Sequence, residues 1–494
     1  MKFHSTRDSA KIKYSSAKVI KKGLADDGGL FVPERIPAVS LSDISSFCKL
    51  DYPALASTVL GRFLTDYTYE ELLEDCNNAY SSSSFPDGAC PLVKVDENTY
   101  SLELWHGPTC AFKDMALQIM PRLLSRALSK TGETRDALIL VATSGDTGKA
   151  ALEGYKNVPH IKISVFYPAN GVSKIQRLQM ATQDGDNVNV CAVKGNFDDI
   201  QTSVKNIFSS ADVAATLNEK GYFLSSANSI NFGRLAPQIV YYFKAYCDLL
   251  NRNEIKLGDK INVCVPTGNF GNILAAYIAK LMGLPIAKLI CASNSNNILT
   301  DFLSTGRYDR NRDFHLTVSP SMDILISSNL ERLLYFISGS KKTSEWMSSL
   351  NKNGFYEIDS ETHNMISESF IGYFASEEQT FDTISRVYKL NDYLIDTHTA
   401  VAFSALEQYR AETADTAITV VASTASPFKF AGSVYSAIFG ENDSDEFDTL
   451  SDLSVTTGVK IPHPLSDLSK KQVNFAKSIA KEDMLEEILD FVKK

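Results

Sequence analysis

Leu138-Ile139-Leu140-Val141-Ala142-Thr143-Ser144-Gly145-Asp146-Thr147-Gly148-Lys149 passes from an apolar run into a small, polar turn and then into a helical pattern. A short apolar run bounded by turn formers reads as a strand buried on both faces. The same punctuation recurs along the chain. Further strands are expected at Ile161–Phe166, Val188–Val193, Ile261–Val265, Ile286–Cys291 and Ile418–Ala422. Helical patterns start between them near Gly148, Ser173, Phe197, Arg234, Gly271 and Thr397. Strands spaced by helices imply βαβ units and parallel sheets, an α/β fold. In such sheets ligands sit beyond the carboxyl ends of the strands.

Outside this pattern the chain reads differently. Leu41–Phe47, Pro53–Phe63 and Tyr69–Tyr80 carry apolar residues at helical spacing, and Pro53 suits a first helical turn. Ser81–Ser84 with Pro86, Asp87 and Gly88 reads as a boundary loop. Glu441–Asp452 is acidic and reads as an exposed loop, and Val473–Val492 as an amphipathic helix.

Three turns after strands are rich in small polar residues: Thr143–Lys149, Pro266–Asn272 and Ser423–Pro427. The first is not a P-loop, because Thr143 stands where the leading glycine is needed and Ala150 follows Lys149. The second lacks the third glycine of a dinucleotide fingerprint. Singly, each turn is as consistent with a structural role as with a site. Together they point to backbone N–H groups and helix starts arranged for one or more anions. A fourth segment, Glu103–Asp114, sets Lys113 among apolar and small residues. Lys113 is open to two readings: a surface lysine paired with Asp114, or an amine desolvated enough to lose its proton and attack a carbonyl.

Composition narrows the classes. The 494 residues suffice for about three domains. A net charge of −10 lacks the footprint of a nucleic-acid binder. No run of 18 apolar residues and no signal-like N-terminus is present, so no membrane partner is expected. Eight scattered cysteines without a CxxC pair fit reduced thiols and a cytoplasmic protein. Seven scattered histidines give no support for a metal site.

His106-Gly107-Pro108-Thr109 followed by Phe112-Lys113-Asp114 resembles the lysine motif of the threonine synthase family. Gly28–Pro33, Thr143–Gly148, Gly268–Asn272, Asp396–Ala400 and Thr424–Pro427 resemble the same family, in its order, over nearly the whole chain. The resemblance implies a fold type II pyridoxal-phosphate enzyme. Two parallel-sheet α/β domains would follow an N-terminal mostly helical region at 1–92. The large cofactor domain would combine 93–135 with 226–430, the small domain would cover 136–225, and a helical tail would take 431–494. The implied reaction is O-phospho-L-homoserine plus water to L-threonine plus phosphate, by a monomer or homodimer.

The implied roles follow residue by residue. Lys113 would hold pyridoxal 5′-phosphate as a Schiff base and then shuttle protons. Gly268, Asn269, Phe270, Gly271 and Asn272 would cradle the cofactor phosphate, and Thr424 would face the pyridine nitrogen. Thr143, Ser144, Asp146 and Thr147 match the loop for the substrate carboxylate, with Asp146 expected toward the cofactor O3′ side or a backbone N–H. Asn228, Ser229 and Arg234 would bind the leaving phosphate. Lys174, Arg177, His398 and Asp323 stay unassigned. Two rivals remain: a phospholyase of the same family that stops at 2-oxobutyrate, and an inactive cofactor-binding relative.

Overall fold

The computed structural model describes residues 1–10, 12–143, 145–170, 172–441 and 443–493. All six strands expected from apolar runs are present, divided between two sheets. The larger runs Phe370–Phe374, Ile286–Ser293, Ile261–Pro266, Thr419–Ser423, Thr99–Glu103, Leu92–Lys94, parallel except at its last pair. Ile261–Pro266 is buried at every residue, because helices cover both faces of the sheet and leave no side for polar alternation.

The smaller sheet runs Ser478–Ala480, Val188–Lys194, Ile161–Pro168, Asp136–Ala142, Tyr222–Ser225, all parallel. Four of its strands come from the range 136–225. The fifth comes from the C-terminal segment, which the sequence reading made wholly helical. Val473–Val492 is helical only at Met484–Phe491, while Ile479 is buried on an edge strand. The apolar spacing of a short window fits both periods, and pairing with the open edge at Val188–Lys194 decides between them. The acidic stretch is likewise corrected. Glu446–Thr457 is a helix, with Asp445 as N-cap and Gly458 ending it in the left-handed region. Its Thr449, Leu450 and Leu453 are buried while the acids face outward.

The N-terminal helices Leu41–Phe47, Tyr52–Gly61 and Tyr69–Ala79 form with Ser40, Asp51 and Thr68 as N-caps. Pro53 does lie in the first turn of its helix. A short antiparallel pair, Phe3–Ser5 with Phe31–Pro33, joins this region. The helix Phe232–Asn251, buried over most of its length, packs against both Tyr52–Gly61 and Gly271–Met282. It thereby ties the N-terminal helices to the larger sheet.

Candidate active site

The lysine segment folds around Asp114. This buried carboxyl accepts from the Thr109 N–H at 2.8 Å and the Thr109 hydroxyl at 2.7 Å. Gly107 permits the approach, since a Cβ there would lie 2.6 Å from the Asp114 Cβ. Burial raises the Asp114 carboxyl to about 7 against the pull of both Thr109 donors. Asp114 thus turns inward, and Lys113 does not pair with it on the surface. The Lys113 Nζ instead donates to the Ser321 hydroxyl at 3.2 Å and lies 3.8 Å from an Asp146 carboxylate oxygen. Burial lowers the Lys113 amine below its ordinary value, Asp146 opposes the shift, and the charges of Lys429 and Arg234 add to it.

Asp146, the first residue of the helix Asp146–Tyr155, is held ionised. Desolvation would raise its carboxyl, but Lys429 and Lys113 together bring it well below the carboxylate range. Lys429 Nζ lies 2.6 Å from Asp146 Oδ1, and the Gln176 amide donates to the same oxygen at 3.0 Å. Among the described residues, Asp146 therefore faces two lysines and a side-chain amide, with no backbone N–H donating to its carboxylate. The Thr143 hydroxyl accepts from the Gly145 and Gly148 N–H groups at 3.0 and 3.1 Å. It also donates to the Gly145 carbonyl at 3.1 Å and so shapes the turn. Ser144 lies outside the described residues. Thr147 is partly exposed at the start of the same helix.

The Gly268–Asn272 turn has the form expected of an anion cradle. Phe270 is left-handed (φ 61°) at the start of the helix Gly271–Met282, with no side-chain cap. Among the described residues, none of the N–H groups from Gly268 to Asn272 donates to a backbone carbonyl. Gly268 admits the neighbouring loop, because a Cβ there would lie 2.7 Å from the Ser321 carbonyl oxygen. The Asn272 carbonyl oxygen accepts from the Tyr241 and Tyr242 hydroxyls, leaving its buried amide nitrogen unpartnered.

Arg234 lies near the start of the helix Phe232–Asn251 and is buried. It donates to the Ala227 carbonyl, beside Asn228 and Ser229, and its Nε has no partner. Among the described residues no carboxylate pairs with it, and burial lowers its guanidinium to about 10. A buried cation without an acid is costly unless an anion arrives. Asn228 is exposed and Ser229 half-buried on the same segment.

Thr424 is buried on the strip beside the lysine motif. Its carbonyl accepts from the Phe112 N–H at 2.8 Å, and Ala425 bridges Ala111. His398 accepts the Ser321 N–H on Nε2 at 3.1 Å, and its Nδ1 pairs with Asp396 at 2.7 Å. Asp323 ties the same loop to Asn294, Asn296 and Thr317. Lys174 pairs with Asp445, away from Lys113.

These groups fit pyridoxal phosphate. The amide cradle and the unpartnered Asn272 nitrogen suit its phosphate, and a lowered lysine amine suits its carbonyl. Among the described residues no cluster of acids, histidines and cysteines could hold a metal. No helix is long and apolar enough to cross a membrane.

A family model described as threonine synthase N terminus matches residues 2–80. One described as pyridoxal-phosphate dependent enzyme matches 88–424, and one described as threonine synthase, C-terminal matches 399–488. The chain belongs to the threonine synthase family. It is 39% identical to a threonine synthase of Pseudomonas aeruginosa, over 89% of this chain and 91% of that protein. It is also 39% identical to human threonine synthase-like 1, over 86% of this chain but only 58% of that longer protein. A crystal structure described as pyridoxal-phosphate-bound threonine synthase from Brucella melitensis superposes with a TM-score of 0.89 at 35% identity, covering 100% of both chains.

Four residues that the sequence reading gave no role are brought to the site by the structure: Lys429, Ser321, Gln176 and Asn329. Only Lys429 had a local signal, two residues beyond Pro427 in a turn already marked as a site. Asn329 donates to the Ser229 and Asn269 carbonyls and so ties the Arg234 segment to the cradle.

Proposed function

We propose that this chain converts O-phospho-L-homoserine and water to L-threonine and phosphate, with pyridoxal phosphate as cofactor. The observation that carries the reading is Lys113: a half-buried amine, lowered by desolvation and by the charges of Lys429 and Arg234, that donates to Ser321 on the loop packed against Gly268. Bound with its phosphate on Gly268–Asn272 and its carbonyl on Lys113, the cofactor supplies an electron sink for charge developing at the substrate Cα and Cβ. The Lys113 amine takes the Cα proton and redistributes protons at Cβ, a task suited to one flexible base. Thr424 would offer the ring nitrogen a neutral hydroxyl and no carboxylate, which would leave that nitrogen largely unprotonated.

Arg234, with Asn228 and Ser229, binds the phosphate that leaves. Its planar fork matches phosphate oxygens, and their charge compensates its buried cation. Thr147 and the helix start at Asp146 receive the substrate carboxylate. The eight free cysteines, most of them buried, suit a cytoplasmic enzyme.

Product identity tests the reading. The purified chain with cofactor and O-phospho-L-homoserine should release threonine and phosphate in equal amounts. Formation of 2-oxobutyrate without threonine would assign elimination alone. No phosphate release would remove the enzymatic reading.

A further inference from the structure

Lys429 lies within a short turn, Pro427–Phe430, and its side chain has no exposure. Its ammonium lies 2.6 Å from Asp146 Oδ1 and donates to the Thr109 carbonyl at 3.0 Å. The other oxygen of Asp146 lies 3.8 Å from the Lys113 Nζ. One buried carboxylate therefore joins two lysines, both of which follow neighbouring strands of the larger sheet. Asp146 follows a strand of the smaller sheet, and Lys429 follows a strand of the larger.

A lone carboxylate beside Lys113 would hold that amine as an ammonium, which cannot act as a base. A second lysine on the same carboxylate takes up the charge while leaving its other oxygen facing Lys113 at 3.8 Å. The other charged or titratable groups acting on Lys113 and Asp146 include Arg234, Asp114, His398 and the Cys110 thiol, which burial pushes up to about 12. Among the described residues, neither Arg234 nor Asp114 pairs with Asp146. His398 is engaged by Asp396 and Ser321.

We propose that Lys429 is a positioning residue for the reaction, holding Asp146 so that it orients the Lys113 amine while its charge is taken up. The amine is then free to release and accept protons. The inference rests on Lys113 being the cofactor lysine. It adds that the two sheets must meet through Lys429 and Asp146 for that lysine to work as a base.

The test is a pH titration of the visible absorption band of the reconstituted holoenzyme, alongside kcat and KM. Lys429→Met should move the midpoint up by about one pH unit or more. It should lower kcat roughly 10-fold with KM nearly unchanged. Lys429→Arg keeps the charge and should keep the wild-type midpoint. The double variant Asp146→Asn with Lys429→Met removes both charges and should bring the midpoint back toward wild type. A wild-type midpoint and kcat in Lys429→Met would overturn the proposal, as would a double variant that titrates like the single one. Should Lys429→Met fail to fold, the double variant decides. A folded double variant with the wild-type midpoint supports the charge role, whereas its failure to fold assigns Lys429 to packing and overturns it. Absence of any visible band in the wild-type chain would strike the cofactor reading itself, a result distinct from all of these.

Discussion

The backbone N–H of Ser321 donates to Nε2 of His398 at 3.1 Å. Together with the Asp323 contacts, that bond holds the loop whose hydroxyl meets Lys113 and whose carbonyl oxygen lies against Gly268. Asp396 sets the tautomer, because it accepts from Nδ1 and leaves Nε2 as the acceptor. His398 thus acts through the backbone and need not touch substrate.

His398→Leu removes the acceptor and leaves the Ser321 N–H unmatched. The net cost of such a bond is about 1 kcal/mol, so kcat/KM should fall roughly 5-fold and the melting temperature should drop. His398→Gln offers a carbonyl of similar reach and should recover part of both. Steady-state kinetics with a thermal melt checks this. Equal losses in the two variants would mean that the imidazole does something other than accept.

Arg234→Ala should leave the cofactor band intact and raise KM for the phosphorylated substrate. Losing a charge-assisted, forked contact costs on the order of 2 kcal/mol or more, roughly 30-fold in affinity. Arg234→Lys restores the charge without the fork and should fall between the two. Inorganic phosphate inhibition should weaken in parallel, and unchanged inhibition would refute the role.

The strands were legible because burial on both faces writes itself as an apolar run, as at Ile261–Pro266. The helix Glu446–Thr457 was not, because its acids face solvent and only Thr449, Leu450 and Leu453 turn inward. Lys113, Arg234 and the Gly268–Asn272 cradle were legible through local motifs. The bond from Lys113 to Ser321 spans 208 residues and leaves no local pattern.

Gly268→Ala should weaken cofactor binding with little effect on the rest of the fold. The added Cβ would lie 2.7 Å from the Ser321 carbonyl oxygen, so the loop or the cradle must shift. Either shift misaligns the N–H groups of the turn. Cofactor titration followed by absorbance should show a dissociation constant raised about 10-fold or more. A wild-type constant would show that the loop moves freely.

Asp114 predicts a pH dependence of stability with a definite sign. Its carboxyl stands at about 7 in the folded chain, against 3.8 for the free group. Between those values the folded chain keeps the proton and the unfolded chain has lost it. The contribution is therefore fully present below the unfolded value and is lost as pH rises through about 7. Asp114→Asn carries no titrating group, yet its carbonyl can still accept from the Thr109 hydroxyl. Melting temperatures of the two chains should diverge with pH. The wild type should do best, relative to the variant, near pH 4 and lose ground up to pH 8, by a few kcal/mol at most. Burial, which raises the carboxyl, outweighs the Thr109 donors, which lower it. If the donors prevail instead, the wild type gains ground with rising pH, and that reversal would show Asp114 to be ionised throughout.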